Sequence, residues 1–274
     1  MPLTFKHPEE QIKKCVQFLR TIYARHGKKH ALIAVSGGID SALATTLLVK
    51  ALGAKNVFAL SLPYDKQSSE DAAALVKWNA IPAENYHTIN IQPLVDAAEQ
   101  MIPDLKGNEF RRGNIMARAR MMVVYDFAKK LDALVCGTEN KSEEFLGYFT
   151  RFGDAASDIE PIHQYYKTQV RQLVTQLELP AVFLEKAPSA GLWDGQTDET
   201  EMGFSYEHAD RVLEQLVDEA GGRRYVQLIE GVKLPEITAE IAGELADIPK
   251  KTITAVLERV HSQQFKREVP YVLE

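Results

Sequence analysis

His30-Ala31-Leu32-Ile33-Ala34-Val35-Ser36-Gly37-Gly38-Ile39-Asp40-Ser41 decides the architecture of this chain. The run from His30 to Val35 is short and apolar, as a parallel strand buried on both faces requires. Two glycines then permit a tight turn, and a helix reads from about Asp40 to Leu52, ended by Gly53. Open α/β sheets bind phosphates at such a turn. Backbone N–H groups can approach an anion there, and the helix N-terminus adds free donors and a favourable dipole. Ser36 and Ser41 supply hydroxyl donors. Asp40 alone would repel phosphate. A divalent cation resolves that conflict, with Asp40 as oxygen ligand and phosphate oxygens completing the shell. The lysine of GxxxxGK[ST] is missing and the spacing is not GxGxxG. A bare SGG would be only a helix-capping turn, but strand, serines, aspartate and helix in order favour ligand binding.

The same alternation continues on both sides. A helix with Ile12, Cys15, Val16, Leu19, Ile22 and Tyr23 at helical spacing fills Pro8 to Arg25. Val57 to Leu62 reads as a strand. A helix capped near Ser68-Ser69 runs to Trp78, and Tyr86 to Ile91 is a third strand. Ile115 to Lys130 is a helix, and Ala133 to Cys136 is a fourth strand ended by Gly137. Strands separated by helices imply βαβ units, hence an α/β fold with a parallel sheet and helices on both faces. Beyond Gly153 the pattern turns helical. Val170, Leu173, Val174 and Leu177 share one face before Pro180, and Ser205 caps a helix carrying Ala209, Val212, Leu213, Leu216 and Val217. Between them, Lys186 to Gly203 is long, polar and glycine-rich, and such segments are more often functional than idle. No linker-like run divides the chain, so one domain over residues 1–274 with helical C-terminal additions is expected.

Composition narrows the classes. The 274 residues are 45% hydrophobic and 26% charged, and 32 Lys plus Arg against 38 Asp plus Glu give a net charge of −6. That balance argues against a general nucleic-acid face while allowing a local basic pocket. Cys15 and Cys136 form no CxxC pair, so neither a disulfide framework nor a zinc site is indicated, and a reducing compartment is the simpler expectation. No signal-peptide apolar region opens the chain and no apolar run would span a bilayer. A cytoplasmic protein with small-molecule partners is expected.

SGGxDS on the first strand–helix turn resembles the PP-loop of the ATP pyrophosphatases, which split ATP between its α and β phosphates. Later segments resemble one branch of that group, the NAD synthetases. They are Gly113-Asn114-Ile115-Met116-Ala117-Arg118-Ala119-Arg120-Met121, then Cys136-Gly137-Thr138-Glu139-Asn140-Lys141-Ser142-Glu143, then Gly147-Tyr148-Phe149-Thr150-Arg151-Phe152-Gly153-Asp154. Pro188-Ser189-Ala190-Gly191-Leu192-Trp193, Gln196-Thr197-Asp198-Glu199 and Phe265-Lys266-Arg267 follow in order. The resemblance covers nearly the whole chain.

It implies a Rossmann-like fold of the adenine nucleotide alpha hydrolase kind and the ATP-dependent amidation of nicotinic acid adenine dinucleotide (deamido-NAD) to NAD. In that ligase reaction, the last step of NAD biosynthesis, an acyl adenylate forms with release of pyrophosphate, and ammonia then displaces AMP. By the same resemblance, ATP contacts fall on Ser36, Gly37, Gly38, Ile39, Asp40, Ser41, Thr138, Lys167 and Ser189. Magnesium falls to Asp40 and Glu143, the catalytic set is Asp40, Lys167 and Glu143, and deamido-NAD meets Arg118, Arg151, Asp158, Phe265 and Lys266. Three positions depart from common family residues: Arg151 replaces Lys, Ser189 replaces Thr, and Phe265 replaces His. A homodimer is also implied.

Each residue has a plainer reading. Arg118 and Arg120 could be a solvated helix face, Glu143 and Glu144 first-turn carboxylates, Lys167 an exposed helix start, and Lys266-Arg267 a charged tail. A glutaminase domain needs well over a hundred residues of its own, and only one helix precedes Ser36, so free ammonia, or ammonia delivered by a separate partner, is the expected nitrogen donor. Pro63 to Ser69 and Lys186 to Gly203 are expected to cover the site. The competing functions are another adenylating PP-loop enzyme, which for a tRNA substrate would want a basic face or paired cysteines, and a nucleotide-binding module without chemistry.

Overall fold

The structure, a computed structural model, describes residues 3–193, 195–218, 222–231 and 234–268. Met1 and Pro2 of the N-terminal reading and Asp194 of the second expected cover lie outside them. Helix α1 (Pro8–Arg25) leads into strand β1 (His30–Ala34), and α2 (Ile39–Leu52) follows the glycine turn. Strands β2 (Val57–Ser61), β3 (Tyr86–Thr88) and β4 (Ala133–Cys136) alternate with helices α3 (Glu70–Trp78), α4 (Gln92–Met101) and α5 (Glu109–Leu131). The strands lie in the order β3-β2-β1-β4, all parallel, with Ile33 opposite both Ala59 and Cys136.

Side chains alternate across a strand, and the apolar run of β1 uses that period to face two layers. Ala31 and Ile33 join a core with residues of α1, α2 and α7 (Lys167–Gln176). Leu32 turns the other way and packs with Leu60, Met116, Val124 and Val135 under α5. Both faces of the sheet are thereby covered, which is why its strands read as continuous apolar runs.

A third apolar cluster holds the remaining helices together. It joins α6 (Lys141–Leu146), α10 (Tyr206–Leu213), α11 (Arg223–Ile229), α12 (Leu234–Glu244) and α13 (Lys250–Ser262) through Leu146, Val212, Leu213, Leu228, Ile241, Val256 and Val260. The short helices α8 (Val182–Glu185) and α9 (Asp198–Met202) lie between α7 and α10. Arg224, almost buried, pairs with Glu240 and Glu244 and ties α11 to α12.

Most expected elements are present within a residue or two. The third strand is shorter than expected, ending at Thr88 rather than Ile91. Ile89 N–H and Ile91 N–H still donate to the carbonyls of Ser61 and Pro63, but the chain then enters α4, whose first turn holds Pro93. Helix α4 itself was not expected, and α5 starts at Glu109 rather than Ile115, because the Asn108 side chain accepts from Arg111 N–H and caps it there. Helix α9 lies inside the expected irregular cover. Leu216 belongs to a π-helical continuation of α10 over Glu214–Asp218.

Gly147 ends α6 with φ 59° and ψ 31°, in the left-handed region. A Cβ there would lie 2.3 Å from the Gln263 Cβ just beyond α13. Gly147→Ala combines backbone strain with overlap that no rotamer relieves, costing about 2–4 kcal/mol. Its melting transition, followed by circular dichroism, should fall by roughly 5–10 °C. Gly203→Ala, at a similar φ but with nothing within 4 Å, should fall by less.

After β4 the chain returns beside the strand, with Gly137 N–H donating to the Ile159 carbonyl. Glu160 then accepts from Glu139 N–H and the Ser157 hydroxyl. Burial pushes the Glu160 carboxyl up to about 7, against those two hydrogen bonds. The folded state therefore binds this proton more tightly than the unfolded chain, so the associated stability is present at acid pH and lost as pH rises towards 7. Glu160→Gln lacks this titration. Relative to the unmodified protein, its stability in urea melts should rise by about 3 kcal/mol between pH 4.5 and pH 7.5. A difference independent of pH would contradict the assignment.

Candidate active site

The strand order reverses between β1 and β4, and open α/β sheets place their ligand crevice beyond the carboxyl ends of strands at such a point. The turns after these two strands are therefore neighbours in space although they lie about a hundred residues apart in sequence. The first is Ser36 to Ser41. Gly37 has φ 77°, and a Cβ on it would sit 2.6 Å from the Asp71 Cβ at the start of α3, so both its conformation and its surroundings demand glycine. Ser36 Oγ accepts from Gly38 N–H at 3.1 Å, and Ser41 Oγ donates to the Gly38 carbonyl at 2.9 Å. These bonds hold the turn so that the first turn of α2 opens outward. Its leading N–H groups have no helical carbonyl to reach, which makes the turn an anion-binding end.

The second turn carries Thr138, Glu139 and Asn140 into α6. Asn140 forms a reciprocal cap: its Oδ1 accepts from Glu143 N–H at 3.0 Å, and Glu143 Oε2 accepts from Asn140 N–H at 3.3 Å. The Asn140 side-chain amide also donates to Asp40 Oδ1 at 2.9 Å, joining the two turns.

Lys167 closes the group. Its Nζ donates to Asp40 Oδ2 at 2.6 Å and to Glu143 Oε1 at 2.8 Å, and its side chain is only 2% exposed. The Tyr206 ring lies 5.0 Å from the same nitrogen. Burial alone would strip the proton from Lys167, but the two carboxylates outweigh it and the pKa is raised, so the group is an ammonium. Burial pushes the Glu143 carboxyl upward, opposed by Lys167. Both Glu143 oxygens accept hydrogen bonds, as a carboxylate requires. Asp198 stands behind this cluster, 3% exposed, its carboxyl raised by burial and receiving the Tyr206 hydroxyl at 3.1 Å.

A cavity of about 650 Å³ opens over the cluster. The phosphate turn, Thr138, Glu143, Lys167, Ser189 and Lys266 all line it, and so do both expected cover segments. The covers meet where Gln67 donates to the Gly191 carbonyl at 2.6 Å, and Lys186 of the second cover pairs with Asp71 on α3 at 2.5 Å. Trp193 packs edge-on against Phe110 at the start of α5, with ring centroids 5.2 Å apart.

The structure thus brings together Ser36, Gly38, Ile39, Asp40, Ser41, Thr138, Glu143, Lys167, Ser189 and Lys266. Ser189 Oγ is turned to its own loop, donating to the Gln196 carbonyl and accepting from Gly191 N–H. Arg118, Arg151 and Phe265 form a separate chain of contacts off the cavity. Arg118 donates to the Arg151 carbonyl at 3.3 Å, Arg151 donates to the Phe265 carbonyl at 3.3 Å, and the Arg151 guanidinium lies 5.7 Å from the Phe265 ring. Lys266 bridges the Gly147 and Phe149 carbonyls at 2.7 and 2.9 Å. Asp158 is not among the cavity residues, and its Oδ2 accepts from Val135 N–H at 2.8 Å along β4. Lys167 is buried, so the exposed helix start does not hold, because both its anionic partners lie far away in sequence.

Sequence reading passed over Asn140, Tyr206 and Asp198 as site residues. The Asn140-x-x-Glu143 spacing is a capping signal that could have found the first, Asp198 lies within the resembling segment Gln196–Glu199, and no local signal marks Tyr206. Arg120, which could have been solvated, instead lines the cavity and donates to the Leu62 carbonyl at 3.0 Å.

Asp40 and Glu143 turn their carboxylates towards the same place, the one that the Lys167 ammonium fills. Both are carboxylates within 2.8 Å of one point, and no group of three or more metal-ligating side chains surrounds them among the described residues. A hard cation held by two carboxylates keeps most of its shell for phosphate oxygens and water, as Mg²⁺ prefers.

Known proteins match this chain along its length. A family model described as NAD synthase matches residues 11–270. The NH(3)-dependent NAD(+) synthetase of Methanosarcina mazei is 38% identical over 271 residues, covering 97% of this chain and 98% of that protein. That of Pyrococcus furiosus is 37% identical over 262 residues, covering 96% and 93%. Among solved structures, NMN synthetase from Francisella tularensis superposes with a TM-score of 0.77 at 32% identity over 98% of this chain and 99% of that one. NH3-dependent NAD synthetase from Campylobacter jejuni gives 0.71 at 27% identity over 97% and 99%. With the glycine turn, the capped Glu143 and the paired Lys167 in place, the chain belongs to the NAD synthase family.

Proposed function

We propose that this chain is an ammonia-dependent NAD synthetase, amidating deamido-NAD to NAD with ATP. The observation that carries the reading is the Lys167 ammonium held between Asp40 and Glu143 at the open end of the phosphate turn, in a chain of this family. A carboxylate is a poor electrophile, so it must first gain a leaving group. The nicotinate oxygen bonds to the α-phosphorus of ATP as the α–β bridging bond breaks, releasing pyrophosphate. Ammonia then bonds to the acyl carbon, AMP departs and a proton is released.

In this reading the protein's work is positioning and charge stabilisation. The first turn of α2, with Ser36 and Ser41, binds the departing pyrophosphate, and Lys167 supplies positive charge next to it. Thr138 and Ser189 meet ATP, the latter after leaving its own-loop bonds. Asp40 and Glu143 would hold Mg²⁺, which when bound neutralises the phosphate charge. Arg118, Arg151, Asp158, Phe265 and Lys266 are read as the deamido-NAD contacts. An arginine fork suits a pyrophosphate bridge, and the Phe265 ring can stack on a base. The off-cavity cluster of Arg118, Arg151 and Phe265 supports a second, outer subsite for the far half of a dinucleotide.

A homodimer is part of the reading, supported by exposed Met122 one helical turn from Arg118 on α5 and by exposed Phe152 beside Arg151. A cytoplasmic setting is supported by Cys15 and Cys136, both buried and free. Among the described residues no helix is long and apolar enough to cross a membrane. A second reading draws on the Francisella tularensis relative, an NMN synthetase: the acid would be nicotinate mononucleotide, and the outer cluster would stay empty.

The deciding assay supplies ATP, Mg²⁺ and ammonium with either acid, and measures AMP and the amide product. Deamido-NAD should be turned over, and glutamine in place of ammonium should give no product. Preference for the mononucleotide would establish the second reading. Asp40→Asn should lose at least about 100-fold in kcat while remaining folded, whereas a binding module would be indifferent. If the two covers close over the intermediate, ATP with deamido-NAD should slow tryptic cleavage after Lys66 and Lys186. Unchanged cleavage would refute closure there.

A further inference from the structure

Asp210 has no place in the chemistry described so far and does not line the cavity. It sits on α10, fully buried among Ala209, Val212 and Leu213 of the third apolar cluster. A carboxylate in such surroundings is costly unless hydrogen bonds satisfy it. One oxygen accepts the Ser142 hydroxyl, and the other accepts Thr168 N–H at 2.8 Å. Ser142 Oγ in turn accepts Lys167 N–H at 2.8 Å. One side chain on α10 therefore grips the first turns of both α6 and α7.

The residues it grips are the immediate neighbours of the two that meet in the cavity. Ser142 precedes Glu143, and Thr168 follows Lys167. A shift of either helix start moves one end of the Lys167–Glu143 pair. Lys167 is also the first residue of α7, the end of a helix where a cation is disfavoured. Asp210, which does not line the cavity, places its carboxyl against that helix end by accepting Thr168 N–H.

We propose that Asp210 is a positioning residue for adenylation: through Ser142 Oγ and Thr168 N–H it fixes the spacing between Glu143 and the Lys167 ammonium. The proposal rests on the synthetase reading for its kinetic consequence but not for its geometry. Ser142 is the relay, and α10 links the C-terminal helical layer to the phosphate site. Asparagine at 210 keeps the volume but has one acceptor oxygen where the carboxylate has two, so it cannot accept from both the Ser142 hydroxyl and Thr168 N–H.

The test uses the full chain as Asp210→Asn, Ser142→Ala and the double variant. Circular dichroism melts report folding. NAD formation gives kcat and the KM for ATP. Pulse acetylation with acetic anhydride, read on the peptide containing Lys167, reports how firmly that ammonium is held.

Both single variants should remain folded with kcat lowered about 10- to 100-fold, since small misplacements of catalytic groups have effects of that size. The KM for ATP should change less than about threefold, a split that general loosening would not produce. The double variant should be no worse than the poorer single one, because the two groups act in series. Lys167 should be acetylated several-fold faster in each. Unchanged kcat with a lowered melting temperature would reduce Asp210 to a structural role and overturn the proposal, as would unchanged acetylation. Should D210N fail to fold, Ser142→Ala decides by the same readouts. If the unmodified protein makes no amide, the synthetase reading fails, and the acetylation rates still decide the positioning claim.

Discussion

An ammonium group that is 2% exposed must have anions around it, and the rest of this site follows from where those anions originate. Asp40 comes from the turn after β1, Glu143 from the helix after β4, and Lys167 from the first residue of α7. None of the three could be held by local structure alone. Parallel pairing of β4 against β1 brings the first two together, and α7, packed on α2, delivers the third.

Much of this was readable from the chain itself. The apolar run from His30 to Val35 and the double glycine located β1, the turn and α2 nearly to the residue, because a buried strand and a glycine turn are local demands. The strands at Val57 and Ala133 followed from the same pattern. Helix α4 was missed because Pro93 reads as a breaker rather than a first-turn residue, and of its apolar side chains only Val95 is buried. The C-terminal layer was legible as helical but not as one cluster, since its contacts join residues more than a hundred positions apart.

The site divides along the same line. Asp40 was anticipated from charge logic alone, as a carboxylate in an anion-binding turn. The roles given to Glu143, Lys167 and the dinucleotide set came through family resemblance. Around Lys167, the sequence Tyr166-Lys167-Thr168 looks like an ordinary exposed helix start. Its burial is a tertiary property, supplied by partners 127 and 24 residues away. Asp210 is still less legible, since an aspartate one position from Ala209 on an amphipathic helix would normally face water.

The strand order has a consequence for how the protein comes into being. The phosphate turn leaves the ribosome early, at residues 36–41, but the strand that must pair with β1 on its other side arrives only at Ala133, and the ammonium only at Lys167. Pairing across that separation requires closing a long loop, which slows folding and places it late. During synthesis, then, a nascent chain exposes an acidic turn without its counter-charge and one free edge of its central strand. The cell receives no nucleotide-binding pocket until more than half of the polypeptide has emerged.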